Sequence, residues 1–227
     1  MKTFLKSTFL FALLSALTLS SCQREDSESV DQDTIYSEFE LYYNSNEDKT
    51  YARATFKFSN LLSTKLELSD GAEVSFNGDL LSWKPALAYY EKEYAGMIST
   101  GEFTYVDLDG NTFMNTATLT AIDYPIGFDS LSLQNAYDLE WVGSALAAGE
   151  DVTVAINGIV EGDAQSFYTN AEGATNIVLD RDKLIQLGEG TSTVWMDRRS
   201  YGTHVGTSAG GYVVGRVRAT NATPILY

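Results

Sequence analysis

The 227-residue chain has a single cysteine, Cys22, and a single histidine, His204. One cysteine closes no disulfide within the chain, so the fold rests on packing and hydrogen bonds. One histidine cannot assemble a zinc site by itself. Basic residues are also scarce, with 15 Lys and Arg against 31 Asp and Glu and a formal charge of −16. A field of that sign repels phosphate, which disfavours nucleic acid and broad adsorption to anionic lipid heads. Solubility, or attraction of cations and basic partners, fits better. No apolar run approaches the roughly 20 residues of a membrane-spanning helix. Prolines number only three. What is plentiful is Tyr, Phe, Val and Thr, a composition that favours strands over helices.

Residues 1–21 carry Lys2 and Lys6, no acid, and the apolar run Phe9-Leu10-Phe11-Ala12-Leu13-Leu14. That is the layout of a secretory signal. It closes on Leu19-Ser20-Ser21-Cys22, which resembles the lipobox of bacterial lipoproteins. The resemblance implies cleavage before Cys22 and acylation of its thiol, which would consume the only thiol. Three acyl chains would then hold the protein at a membrane without spanning it. Losing Lys2 and Lys6 takes the charge from −16 to −18. Residues 22–33 are polar and acidic and read as a flexible tether. Such a run after the lipid cysteine resembles the surface-export signal of Bacteroidota lipoproteins. The expected location is the outer membrane, facing the cell exterior.

Beyond the tether, alternation dominates. Phe39, Leu41 and Tyr43 share one strand face, and Ala52, Ala54, Phe56 and Phe58 share another across the polar turn 44–48. Asp70-Gly71 and Asn77-Gly78 mark further turns, the second a strong hairpin pair. Residues 87–94 read as a Tyr-rich strand. Asp123-Tyr124-Pro125 marks a boundary, and Asp180 to Leu187 can form one or two helical turns capped by Asp180, with Leu184 and Leu187 inward and Gly188 as stop.

The run Leu68 to Phe76 parallels Leu146 to Val154, and both soon reach an Asn-Gly pair. A Trp strand, a Gly turn and a Val-Thr-Val strand resemble bacterial immunoglobulin-like sandwiches. The expected fold is therefore all-β: two immunoglobulin-like β-sandwiches in tandem, residues 34–121 and 122–227, after a signal peptide and tether. Trp141 should then fill a sandwich interior.

Several motifs compete with plainer readings. Gly206-Thr207-Ser208-Ala209-Gly210 matches the G-x-S-x-G nucleophile elbow, but a strand follows where a helix is needed and no histidine lies downstream of Ser208. Asp107, Asp109 and Asn111 resemble the start of a calcium loop, but Thr112 and Thr118 stand where glycine and glutamate belong. Turn chemistry around Gly110 accounts for them. Trp83, Tyr89, Tyr90, Tyr94 and Trp195 are the aromatic candidates for ligand binding. Tyr89 and Tyr90 must point to opposite faces of their strand. Asp33-Thr34-Ile35 and Asp129-Ser130-Leu131 resemble the Bacteroidota O-glycosylation pattern at Thr34 and Ser130.

The functional expectation is a lipid-anchored envelope protein that binds a glycan or a protein without catalysis, needs no cofactor and takes no nucleic acid. The alternatives are a structural or accessory subunit of an outer-membrane complex and, behind it, a hydrolase.

Overall fold

A computed structural model describes residues 25–160 and 163–227, so Cys22 and its leader lie outside the described residues. The chain is all-β. It opens with β1 (Glu25–Asp26), β2 (Ile35–Asn44), β3 (Lys49–Phe58) and β4 (Lys65–Glu67). There follow β5 (Glu73–Phe76), β6 (Asp79–Leu80), β7 (Ser82–Lys84), β8 (Tyr89–Ala95), β9 (Thr100–Val106) and β10 (Thr112–Thr118). The second half adds β11 (Ser130–Leu131), β12 (Tyr137–Glu140), β13 (Glu150–Ile156), β14 (Gln165–Thr169) and β15 (Asn176–Leu179). It ends with α1 (Arg181–Leu184), β16 (Gly190–Thr191), β17 (Val194–Gly202), β18 (Gly211–Arg218) and β19 (Ile225–Leu226).

The main sheet has ten strands, ordered β1-β4-β3-β2-β18-β17-β13-β14, with β8 also on β3 and β7 on β8. A four-stranded sheet, β10-β9-β5-β6, covers its inner face. The two-residue period explains the layering. On β2, Ile35, Phe39 and Leu41 point inward and are fully buried, while Glu38 and Glu40 stay at the surface. Phe39 meets Phe103 of β9 with ring centroids 5.3 Å apart, and Phe56 of β3 meets Tyr105 at 4.5 Å. Burying such rings is the main apolar contribution to the fold. The layers close tightly at Gly215, where an added Cβ would lie 1.8 Å from the Thr118 carbonyl oxygen.

The layered all-β sandwich is as expected, and strand pairing runs across the expected 121/122 boundary. Strand β18 pairs parallel with β2 from Gly211↔Ser37 to Arg218↔Asn44, which fuses both halves into one sheet. Buried residues from both halves form one core. The sequence repeat is not a structural one: β5 lies in the small sheet and β13 in the large one.

The flexible tether is corrected, from Glu25 onward. Strand β1 pairs with β4, and Ser27 and Gln32 are buried. The Ser69 amide donates to Ser27 Oγ at 2.9 Å. Gln32 Nε2 donates to the Ser27 carbonyl at 2.8 Å, and the Leu108 amide donates to Gln32 Oε1 at 3.3 Å. Order here comes from polar groups bonding to the body, a contribution that apolar content does not register.

Local signals hold elsewhere. Asn77 and Gly78 both adopt positive φ, 50° and 84°, as the tight hairpin between β5 and β6 demands. Asp180 caps α1 by accepting from the Asp182 amide at 2.8 Å, Leu184 and Leu187 are buried, and Gly188 turns the chain at φ 74°. Trp141 packs in the core, its Nε1 donating to the Ser144 carbonyl at 3.2 Å.

Among the described residues, one ion pair has both members buried. Arg198 and Glu150 are buried and bonded to each other. Arg198 also donates to the Ser144 and Ala145 carbonyls at 2.7 and 3.0 Å, while its Nε has no partner among the described residues. Glu150 accepts from Ser200 Oγ at 2.6 Å, Thr120 Oγ1 at 2.8 Å and the Ala147 amide at 2.8 Å. Burial alone would raise the Glu150 pKa, but the donors, led by Arg198, outweigh it and hold the carboxyl at about 2.

Candidate functional site

The outer face of the large sheet carries the densest set of charged and aromatic side chains. Register puts them in rows. Glu40 of β2 sits opposite Arg53 of β3, Tyr42 opposite Tyr51, and Tyr42 also opposite Arg216 of β18. Arg199 of β17 faces Arg216 on one side and Asp151 of β13 on the other, and Asp197 faces Arg218. Two like charges directly opposite each other, Arg199 and Arg216, are tolerated because carboxylates flank them.

The cations are held by pairs. Arg53 Nε donates to Glu91 at 2.7 Å and Arg216 Nε to Glu40 at 2.9 Å. Arg218 makes two bonds of 2.7 Å to Asp197, the fork geometry of a guanidinium on a carboxylate. Arg199 Nε donates to Asp151 at 2.9 Å, and Lys57 Nζ to Glu38 at 2.6 Å. Rings lie beneath: the Arg216 guanidinium is 3.9 Å from the Tyr42 ring centre, and Arg53 is 4.8 Å from that of Tyr51 and 5.4 Å from that of Tyr89. Each such contact contributes about 0.5–2 kcal/mol, depending on exposure. The Arg218 pKa is raised by its bond to Asp197, and burial pushes the Tyr212 hydroxyl up, helped by Glu38 and Glu40.

The face is hollowed. A cavity of about 510 Å³ is lined by Glu40, Leu61, Arg199, Tyr212 and Arg216. A smaller one of about 180 Å³ lies between Glu38, Glu40, Arg53, Tyr89 and Tyr212. Glu40 and Tyr212 line both, so the two form one shallow groove across β3, β2, β18 and β17. A third hollow of about 310 Å³ lies beside Trp195, Asp197 and Arg218.

The predicted aromatics separate. Tyr89 and Trp195 belong to this face, Tyr89 beside Arg53 and Trp195 in the third hollow. Tyr90 turns inward, as the strand period requires; it is buried and its hydroxyl accepts from the Leu68 amide at 2.7 Å. Trp83 packs on Tyr90 at 4.8 Å. The Tyr94 hydroxyl donates to Asp79 at 3.2 Å, and burial, with that bond, pushes its pKa up to about 12. The arginines of the face escaped the sequence reading, although the alternation of Arg216, Val217 and Arg218 carried the signal.

The other motifs resolve locally. Ser208 Oγ donates to the Asp33 carbonyl at 3.0 Å, while His204 pairs instead with the buried Ser37, Oγ to Nε2 at 2.9 Å. His204 stacks on Phe39, and burial lowers its pKa. Asp107 accepts from the Asp109 amide at 3.0 Å, the Asn111 amide at 2.8 Å and Asn111 Nδ2 at 3.0 Å, which is turn chemistry. Among the described residues no group of three or more His, Cys, Asp or Glu side chains is placed to hold a metal, and no helix is long and apolar enough to cross a membrane. Thr34 Oγ1 donates to the Asp31 carbonyl at 2.6 Å, and Ser130 is exposed on β11.

No family model matches the chain. A protein named DNA polymerase sliding clamp, from Natronomonas pharaonis, is 28% identical over 148 residues, covering 57% of this chain and 56% of the relative. The chain thus spans just over half the length of that relative. Among solved structures, a chain from the study of host cell surface retention of a 1.5-MDa bacterial ice-binding adhesin covers 86% of this chain and 66% of its own at TM-score 0.23 and 13% identity. A cytokine receptor complex chain covers 79% of this chain and 94% of its own at TM-score 0.25 and 11% identity. Neither structural likeness carries functional weight.

The clamp-named relative corrects two expectations. It displaces the envelope module for glycan or protein, together with its accessory-subunit and hydrolase alternatives. It also removes the exclusion of nucleic acid, which rested on net charge alone. Its name is that of a clamp rather than of a reaction, which is compatible with a chain that is not an enzyme.

Proposed function

We propose that this chain is a non-catalytic protein that holds a polynucleotide strand across the arginine and tyrosine face of its large sheet. The observation that carries the reading is the placement of Arg53, Arg199 and Arg216 with Tyr89 and Tyr212 along one groove, with Arg218, Tyr42 and Tyr51 beside it on the same sheet face. Guanidinium groups supply forked donors to phosphate, and rings supply stacking surfaces for bases. The relative named DNA polymerase sliding clamp supports DNA as the polymer to try first.

The same geometry limits the affinity. Every one of those arginines already bonds a carboxylate, so phosphate must displace Glu40, Glu91, Asp151 or Asp197. The formal charge of −16 opposes any wider contact. Binding is therefore weak, confined to the groove and steeply dependent on salt. Fluorescence anisotropy with a short labelled single-stranded oligonucleotide tests this. Wild type should bind at low salt. Arg216→Ala should weaken binding and reduce the salt slope by about 1. Glu40→Gln, which takes one of two carboxylate partners from each of Arg53 and Arg216, should tighten it. No binding by wild type at low salt refutes the proposal.

Residence is a separate proposal on different residues. We infer export and acyl attachment at the outer membrane from the leader and from Leu19-Ser20-Ser21-Cys22. Labelled palmitate should enter wild type and not Cys22→Ser. A wild-type chain that takes no label overturns this inference.

A further inference from the structure

We propose that the end of the large sheet carrying the β3–β4 hairpin rests on the membrane surface, with Leu62 and Leu87 entering the lipid. This inference rests on the acylation of Cys22 proposed above. It adds a contact made by the folded body itself.

Three observations converge on that end. First, apolar side chains protrude there. Leu62 is 92% exposed, Leu87 55% and Leu61 49%, with Phe58 at the root of the hairpin 41% exposed. Exposed apolar side chains gathered at one place mark a contact surface more strongly than the same residues scattered singly.

Second, the leucines are held outward by a fixed turn. The Phe58 amide donates to the Thr64 carbonyl at 3.0 Å and the Ser59 amide to the Thr34 carbonyl at 2.7 Å. Within the turn, the Leu62 amide donates to Asn60 Oδ1 at 3.0 Å. Little conformational freedom is therefore lost when the tip meets a surface. Two lysine amines sit behind the tips: Lys57 Nζ bonds the Leu61 carbonyl at 2.9 Å, and Lys65 Nζ the Leu87 carbonyl at 3.0 Å. Lys65, partly exposed, suits the headgroup layer above an inserted leucine, while Lys57 is buried and paired with Glu38.

Third, the described residues begin at the same end. Strand β1 runs parallel to β4, with Glu25 opposite Leu66 and Asp26 opposite Glu67. Glu25 therefore lies beside the start of β4, where the hairpin ends. Cys22 is three residues upstream, so covalent reach keeps it within about 11 Å of Glu25. Because residues 25–34 are docked on the body, that span leaves little slack between acyl chains and hairpin. The bilayer is the occupant that this geometry selects.

The test uses the acylated protein in neutral phosphatidylcholine vesicles. Acylation removes the native thiol, so Leu62→Cys supplies a unique site for an environment-sensitive NBD label. Glu47→Cys, in the β2–β3 turn at the opposite end of the sheet, is the reference. Label at 62 should shift to the blue and be quenched by nitroxide placed in the lipid acyl chains, while label at 47 should read as water. Equal behaviour at the two positions, with labelled palmitate present on Cys22, overturns the inference while leaving the anchor standing. Absence of palmitate defeats the anchor, and this inference falls with it. As a second check, Leu62→Asp with Leu87→Asp should leave thermal unfolding unchanged and abolish protection of a label at Leu61→Cys. Protection that survives both substitutions overturns the inference.

Discussion

Replacing Glu150 with Gln isolates the buried charge pair between β13 and β17 of the large sheet. The substitution keeps the shape and removes the charge opposite Arg198, which is itself 1% exposed. Breaking one side of a buried pair costs about 3–5 kcal/mol, because the remaining charge is left without compensation. Linkage gives an independent figure. The Glu150 pKa falls from 4.5 to about 2 on folding. At about 1.4 kcal/mol per pKa unit, that depression is worth about 3 kcal/mol. The two routes agree. A carboxyl with a depressed folded pKa contributes stability that is complete above its unfolded value. It is lost as pH falls through the folded value, here between about pH 5 and pH 2. Urea unfolding should therefore show two things. At pH 7 the variant midpoint should fall by about 1.5 M, for a slope near 2 kcal/mol per M. Between about pH 5 and pH 2 the gap between wild type and variant should close, because wild type loses what the variant never had. A gap that stays constant with pH, or a midpoint within about 0.3 M of wild type at pH 7, would refute the assignment of Glu150 as the charged partner.

Two further outcomes are expected. Gly215→Ala drives a Cβ to within 1.8 Å of the Thr118 carbonyl oxygen, a backbone atom that cannot step aside. It should cost at least the upper end of the about 1–3 kcal/mol range for overpacking, read as a large drop in Tm, and an unchanged Tm would contradict the close approach of the two sheets. His204 has its pKa lowered from 6.5 by burial. The stability it lends is full above 6.5 and lost as pH falls through the folded value, so wild-type Tm should decline from pH 7 toward pH 5, and His204→Asn should flatten that decline.

The strands were legible where neighbours in sequence are neighbours in space. The alternation in residues 35–44 and 49–58, the Asn77-Gly78 turn and the Asp180 cap are all local, and each was readable from spacing. Parity even pointed to the buried arginine: Val194, Met196 and Arg198 share a face, and the first two are apolar. The pairing of β2 with β18 was not legible. Both strands alternate in the same way, and nothing within either one names its neighbour. That pairing also decides the candidate site. Arg53 and Glu40 sit on adjacent strands of one hairpin, but Arg216 reaches them only through the long-range parallel register. Tyr89 was identified for its ring alone, and the guanidinium groups that make its surroundings distinctive come from distant chain. The docking of residues 25–34 was hidden for another reason, since it depends on serine and glutamine side chains whose partners lie on other segments.

The parallel seam between β2 and β18 also constrains the order of events when the chain is made. Glu40 and Arg216, bonded across it, lie 176 residues apart in sequence. Closing so long a loop before any contact rewards it makes for slow folding. Until residues 211–218 emerge, β2 and β3 form a hairpin whose β2 edge offers ten residues of unpaired backbone to any passing strand. Strand β18 is in this sense the keystone. A fragment ending before Gly211 would keep the hairpin and lose the neighbour that covers it, and would be expected to aggregate through that edge.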